Sequence, residues 1–305
     1  MIKRLTSTFT FSLFCLVAFG QYYSITNQWW LQQPLLNPAT SGINNKISAA
    51  IGSRLGGTKT QVEGSVSYMR LDAKLNGINS GIGFSYFNNN PEYLLNNDSA
   101  NFIMRQRIAL NYNYQFTFDD ASILSIGTTL DIERIAWSLD VYHGSPINPI
   151  IPPQNGPGND INLGFGIFYK AANWNAGVSL VPSINLLDEI NLNTPSPSLQ
   201  FMASIDQHLE NNLSLQSGVL FGFPTEQPLA SNYYLNVFMK LWFANGNIYA
   251  GLAYNSIPTS PESIDLLLGL NLGKRLALHY AYAIAISNYA GVNTNRHILS
   301  LSYLF

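Results

Sequence analysis

The sequence predicts an all-β protein: a transmembrane antiparallel β-barrel of about 14 strands, with an irregular N-terminal segment in or under its lumen. Three observations carry this reading. From Lys46 to Phe305 large apolar residues recur at every second position, the period of a strand and not of a helix. The charged residues within these stretches, Glu63, Arg107, Asp131, Glu133, Lys170, Asp206, Lys240 and Asp265, all fall on the face opposite the large apolar ones. Short and long connections also alternate along the chain, as periplasmic turns and external loops do in a membrane barrel.

Composition settles which face meets which medium. Only 10% of residues are charged while 13% are aromatic, against about 25% charged in soluble domains. The polar face is rich in Gly, Ser, Ala and Asn, too sparsely charged for a solvated exterior but suited to a crowded lumen. The apolar face therefore points outward, toward outer-membrane lipid.

The chain opens with the three parts of a secretory leader: Lys3 and Arg4, an apolar run from Phe9 to Phe19, and small residues at Ala18 and Gly20. Cleavage is expected near Gly20/Gln21, which divides the chain into a leader (1–20), a plug-like segment (21–45) and the barrel (46–305). Cys15, the single cysteine, lies in the leader, so the mature chain has no disulfide framework, thiolate metal site or cysteine nucleophile. Losing Lys3 and Arg4 lowers the basic count from 15 to 13 against 17 acidic residues, a net charge of −4 that argues against a nucleic-acid partner.

After the leader, residues 21–43 are aperiodic. Adjacent Trp29 and Trp30, Pro34, and Asn37 before Pro38 mark a turn-rich piece with local Asx hydrogen bonds, too irregular to face lipid. Strands are then expected at 46–54, 61–70, 80–87, 102–116, 122–134, 160–170, 174–181, 198–207, 213–222, 232–243, 247–255, 264–272, 275–287 and 296–305. The short gaps, at Thr117–Ala121, Ala171–Asn173, His208–Asn212, Ala244–Gly246 and Gly273–Lys274, fall on every second connection, and Asn245-Gly246 is a tight-hairpin signal. Asn88–Asn101, Ser138–Asp160 and Pro182–Pro197 are then external. Phe116, Tyr169, Trp174, Phe243, Tyr303 and Phe305 mark one aromatic girdle, and Tyr86, Phe102, Phe221, Tyr233 and Tyr254 the other. In the last strand His297, Leu299, Leu301, Tyr303 and Phe305 share the outward face, opposite Ser300 and Ser302. This orientation predicts that arginine at Leu130 destabilises while arginine at Thr129 is better tolerated.

Catalytic constellations are not evident. His143, His208, His279 and His297 are scattered, with no spacing that makes a metal pair or a triad. His279, on the polar face with Arg107, Asp131 and Glu133, reads as part of a structural charge network. No catalytic, cofactor-binding or metal residue is assigned, and no cofactor is expected.

The segment Pro34–Gly42 (PLLNPATSG) resembles the asparagine-proline-alanine signature of the PorP/SprF family of outer-membrane proteins from the type IX secretion and gliding machinery. That resemblance rests on Asn37, Pro38, Ala39, Gly42, Arg54 in the first strand, and the closing strand with Tyr303 and Phe305, which is similar to barrel strands read by the insertion machinery. The aromatic and proline common in the family after the arginine are absent from residues 54–58. The resemblance implies a barrel without enzymatic activity that helps export an adhesin or anchors the adhesin's C-terminal domain at the cell surface, with other secretion components on the periplasmic side. A transport barrel for small apolar or nutrient solutes, with the N-terminal segment plugging its lumen, is the competing expectation. Tyr142, His143 and Ile147, in the long proline-rich external loop, are the candidate partner-binding residues together with Trp29 and Trp30, whose first role is expected to be structural.

Overall fold

The computed structural model describes residues 26–44, 46–56, 66–89, 94–96, 99–138, 156–185, 198–210, 212–224, 234–243, 246–257, 260–287 and 295–305. Its strands are β1 (Ser48–Gly56), β2 (Val66–Leu75), β3 (Ser80–Asn89), β4 (Leu94–Asn96), β5 (Ser99–Thr117), β6 (Ile123–Ser138), β7 (Gly156–Lys170) and β8 (Trp174–Asn185). They continue with β9 (Ser198–Glu210), β10 (Leu213–Pro224), β11 (Tyr234–Phe243), β12 (Ile248–Ile257), β13 (Ser260–Leu272), β14 (Leu276–Ala285) and β15 (Arg296–Leu304). Consecutive strands pair antiparallel, with β15 on β1 (Ser48 opposite Leu304) and β3 on β5 (Ser80 opposite Tyr114), so the sheet closes on itself. The short β4 only folds back on the upper end of β5. Fourteen strands thus make the wall, as expected. Closure leaves no sheet edge in the hydrocarbon, where an unpaired backbone group costs several kcal/mol. Among the described residues no helix is long and apolar enough to cross a membrane.

Burial alternates with the sequence pattern. Ile108, Leu110, Tyr112, Tyr114 and Phe116 are exposed on β5, whereas Arg107, Ala109, Asn111, Asn113 and Gln115 between them are buried. Ile264, Leu266, Leu268, Leu270 and Leu272 repeat this on β13, with Asp265 and Leu267 buried. The apolar exterior is the lipid-facing band. At its periplasmic rim Tyr169 packs on Trp174 and Tyr303 on Phe305, with ring centroids 5.1 and 4.6 Å apart; toward the external rim Phe201, Phe221 and Phe223 pack together.

The second strand departs from expectation. It runs over Val66–Leu75 rather than 61–70, and a four-residue turn at 76–79 follows. Asp72 and Lys74, left in a connection by the expected bounds, lie on the lumen face; Asp72 accepts hydrogen bonds there from Ser48 Oγ (2.7 Å) and Gly42 N (3.1 Å). Glu63 falls outside the described residues. Left-handed backbone at Asn79, Ala121, Asn212, Gly246 and Gly273 closes the short turns. In the 118–122 turn Ser122 Oγ and N donate to Asp120 Oδ1 and hold its carboxyl below the usual carboxylate range.

Strand length is uneven around the wall. β11, β12 and β14 have 10 residues each, within the roughly 9–11 that a tilted strand needs to span the membrane. β5, β6 and β7 have 19, 16 and 15. Their periplasmic ends are fixed by short turns, so the excess rises on the external side as a sheet beyond the band.

The burial pattern refines the arginine test. Leu130 faces outward, and Leu130→Arg is expected to lower barrel stability by about 2–4 kcal/mol in lipid. Thr129 faces inward as expected but is only 2% exposed, and its Cγ2 closely approaches Gly164, so a packed lumen leaves no space for arginine. The tolerant inward position is the half-buried Gln216, which hydrogen-bonds Asp206. Urea unfolding in vesicles should rank Leu130→Arg well below Gln216→Arg; equal losses would contradict the orientation.

Candidate functional site in the barrel lumen

The lumen is filled by the chain's own N-terminal segment. Residues 26–31 form a 3-10 helix, Gln33–Leu36 one α-helical turn and Pro38–Thr40 a second 3-10 turn. Asn37 links the two turns: its Oδ1 accepts from Ala39 N (3.0 Å) and its carbonyl from Thr40 Oγ1 (2.9 Å). Pro38 suits the first position of a turn, where its missing N–H and fixed φ have no cost. Gly42 adopts φ +65°, and a side chain there would meet the Ala73 carbonyl on β2.

The wall is shaped to receive this segment. Asn37 Nδ2 donates to the carbonyls of Ile167 on β7 (3.0 Å) and Val178 on β8 (3.3 Å). Those carbonyls are reachable because Gly166 and Gly177 carry no side chain: a Cβ at Gly166 would fall on Asn37 and Pro38, one at Gly177 on Phe168 and Asn37. Gly127 likewise leaves room for the Ala39 backbone. From β5, Asn111 donates to the Pro34 carbonyl (2.6 Å) and Asn113 to those of Pro38 (3.2 Å) and Ser41 (2.7 Å). Ser179 Oγ donates to the Leu36 carbonyl (2.6 Å), Ser300 Oγ reaches Gln28 Oε1, and Lys170 Nζ donates to Asn44 Oδ1 (2.6 Å). The exposed carbonyls of an irregular segment are therefore met by wall side chains, as burial demands.

The other side of the lumen is aromatic. Trp29, fully buried, sits edge-on to Phe238 at 5.4 Å, and Trp30 lies 4.5 Å from the same ring. Lys240 Nζ stands 4.4 Å from the Trp30 ring centre, 4.7 Å from Phe238, 5.2 Å from Tyr249 and 5.9 Å from Trp242, with Asp206 as its nearby countercharge. Tyr249 OH and His279 Nδ1 share a hydrogen bond (2.9 Å), and His279 Nε2 pairs with Ser302 Oγ (3.1 Å). His279 thus belongs to this cluster and not with Arg107, whose guanidinium makes a bidentate pair with Asp131 at 2.8 and 2.5 Å. Cation–π contact with a desolvated lysine is worth about 2 kcal/mol. Trp30→Leu is expected to lower the barrel's melting midpoint by a corresponding amount, readable by gel mobility after graded heating.

Of the candidate residues, Trp29, Trp30, Asn37, Pro38, Ala39 and Gly42 are thus gathered in the lumen, and Tyr303 and Phe305 lie at the periplasmic rim. Arg54 is buried on β1. Tyr142, His143 and Ile147 lie outside the described residues. Sequence reasoning missed the receiving surface formed by Gly127, Gly166, Gly177, Asn111, Asn113 and Ser179. The available signal was small residues recurring on the inward face of β6, β7 and β8. Among the described residues there is no group of three or more His, Cys, Asp or Glu placed to hold a metal ion.

A closed antiparallel barrel with an apolar exterior and an occupied lumen defines an outer-membrane β-barrel protein. Solved structures that it resembles agree in fold: the Ralstonia pickettii toluene transporter TbuX (TM-score 0.54, 12% identity, 88% of this chain and 92% of that chain) and the Pseudomonas putida toluene transporter TodX (0.54, 9%, 94% and 95%). A Pseudomonas aeruginosa FadL homologue is similar at a TM-score of 0.50, with 12% identity over 88% of this chain and 92% of that chain. Identities this low define the fold alone. No curated protein sequence matches the chain. The family model of the type IX secretion system membrane protein PorP/SprF matches residues 18–303, and the chain belongs to that family.

Proposed function

We propose that this protein is a sealed, non-enzymatic barrel of the type IX secretion system that helps export an adhesin and holds the adhesin's C-terminal domain at the cell surface. The observation that carries this reading is the match of residues 18–303 to a secretion family, and a lumen occupied by the chain's own N-terminal segment supports it. A sealed barrel offers its rims rather than a pore. The β5–β7 sheet, standing beyond the lipid band, supports an external docking role, and it flanks residues 139–155 with Tyr142, His143 and Ile147. In this proposal those residues contact the adhesin domain, Trp29 and Trp30 hold the plug, and the periplasmic turns meet other secretion components after leader removal near Gly20/Gln21.

Deleting the gene and measuring surface-bound adhesin alongside uptake of small apolar solutes tests the proposal. Adhesin lost from the surface with uptake unchanged is the expected result; lost uptake with adhesin in place would favour a solute transporter. Because β7 already begins at Gly156, a loop test should remove only residues 145–155. That deletion is expected to leave the barrel inserted and to release adhesin into the medium, measured by immunoblot of cells and supernatant.

A further inference from the structure

The lipid-facing wall carries one polar cluster that the secretion role does not use. On β15, Arg296 and Ile298 are buried while His297 between them is exposed, so the imidazole points out with Leu299 and Leu301. His297 Nδ1 and Tyr280 OH share a hydrogen bond of 2.8 Å, and the Tyr282 ring lies 5.0 Å from the imidazole centre. Tyr282 OH accepts from Asn295 Nδ2 at 2.9 Å, and Asn295 Oδ1 accepts from Ala285 N at 3.2 Å. His297 Nε2 has no hydrogen-bond partner among the described residues. The outward residues paired beside the cluster are Leu55 on β1 and Leu266 on β13, both apolar and exposed.

An ionisable side chain facing lipid is costly and marks a site rather than chance decoration. Position along the strands identifies the occupant. His297 is the second residue of β15 and Tyr282 lies three residues before the end of β14, so the cluster stands at the external end of both strands. There the wall approaches the lipid–water interface, which lipid head groups reach. With the Tyr280 hydroxyl donating to Nδ1, the ring proton sits on Nε2, and that N–H together with the Tyr282 hydroxyl, whose own proton is unused, are donors suited to the oxygens of an anion. Below it Leu278, Leu299 and Leu301 provide an exposed apolar track. We propose that Tyr280, Tyr282, Asn295 and His297 bind the phosphate-bearing head group of an external-leaflet lipid whose acyl chains follow that track.

The test is native mass spectrometry of the purified full chain titrated with dioleoyl phosphatidylglycerol and, in parallel, with dioleoylglycerol, which lacks the phosphate. The parent is expected to retain one phosphatidylglycerol about tenfold more tightly than either His297→Leu or Tyr280→Phe, the loss of a hydrogen bond to a charged group. Tyr254→Phe, on β12 and outside the cluster, should retain it like the parent. Equal retention by His297→Leu and the parent, or equal binding of dioleoylglycerol, would overturn the proposal. So would a photocrosslinking residue at position 282 that captures a membrane protein rather than lipid in cells.

Discussion

Replacing Gly166 with valine is expected to keep the N-terminal segment out of the lumen. A Cβ alone would fall on Asn37 and Pro38, and the two γ-methyls of valine leave no rotamer that clears them. The neighbours cannot yield, because Asn37 is tied to Ala39 N, Ile167 O and Val178 O, and Pro38 is fixed by its own ring. Overpacking costs about 1–3 kcal/mol, and leaving buried wall groups such as Ser179 and Asn113 without the segment's carbonyls adds about 1–3 kcal/mol for each. Gly127→Val, which would meet the Ala39 backbone, should behave the same way. Limited proteolysis reads the outcome: residues 26–44 become cleavable in the folded variants and stay protected in the parent and in Ala250→Val on the outer face. Protection retained in both glycine variants would mean that the segment is held elsewhere.

Arg107→Met is expected to cost about 3–5 kcal/mol, the penalty for removing one partner of a buried ion pair. Both charges are almost fully inside, with side-chain exposures of 6% and 2%, and the arginine supplies both hydrogen bonds recorded for Asp131. Adding Asp131→Leu should recover part of the loss, since that carboxylate is then no longer left buried without its arginine. The measured order in urea is therefore expected to be parent, then Arg107→Met/Asp131→Leu, then Arg107→Met. A single variant as stable as the double would show that the pair contributes little.

The wall was legible because a barrel imposes one simple rule on every strand. Ile108 to Phe116 and Ile264 to Leu272 each alternate without interruption, and the short turns at Gly246 and Gly273 announce themselves by residue type. Reading failed at β2, where the expected bounds leave Asp72 and Lys74 in a connection until a lumen partner such as Gly42 N is known to be waiting. The plug was legible as an irregular piece needing shelter, from Trp29, Asn37 and Pro38. Its seat was not: Asn37 meets Ile167 and Val178 at separations of 130 and 141 residues, and nothing in a single sequence pairs an asparagine with a distant glycine. His297 was legible as outward-facing from its place in the alternation. Its companionship with Tyr280 and Tyr282 depends on the register between β14 and β15.

A barrel sealed by its own N-terminal segment underlies the proposed scaffold role, and current across a planar lipid bilayer tests that seal most directly. Purified full-length protein, inserted and shown folded by its resistance to heat on gels, is expected to carry no steady ionic current, whereas Gly166→Val should show discrete openings. A stable porin-like conductance from the parent protein would contradict the sealed lumen and with it the case for a scaffold over a pore.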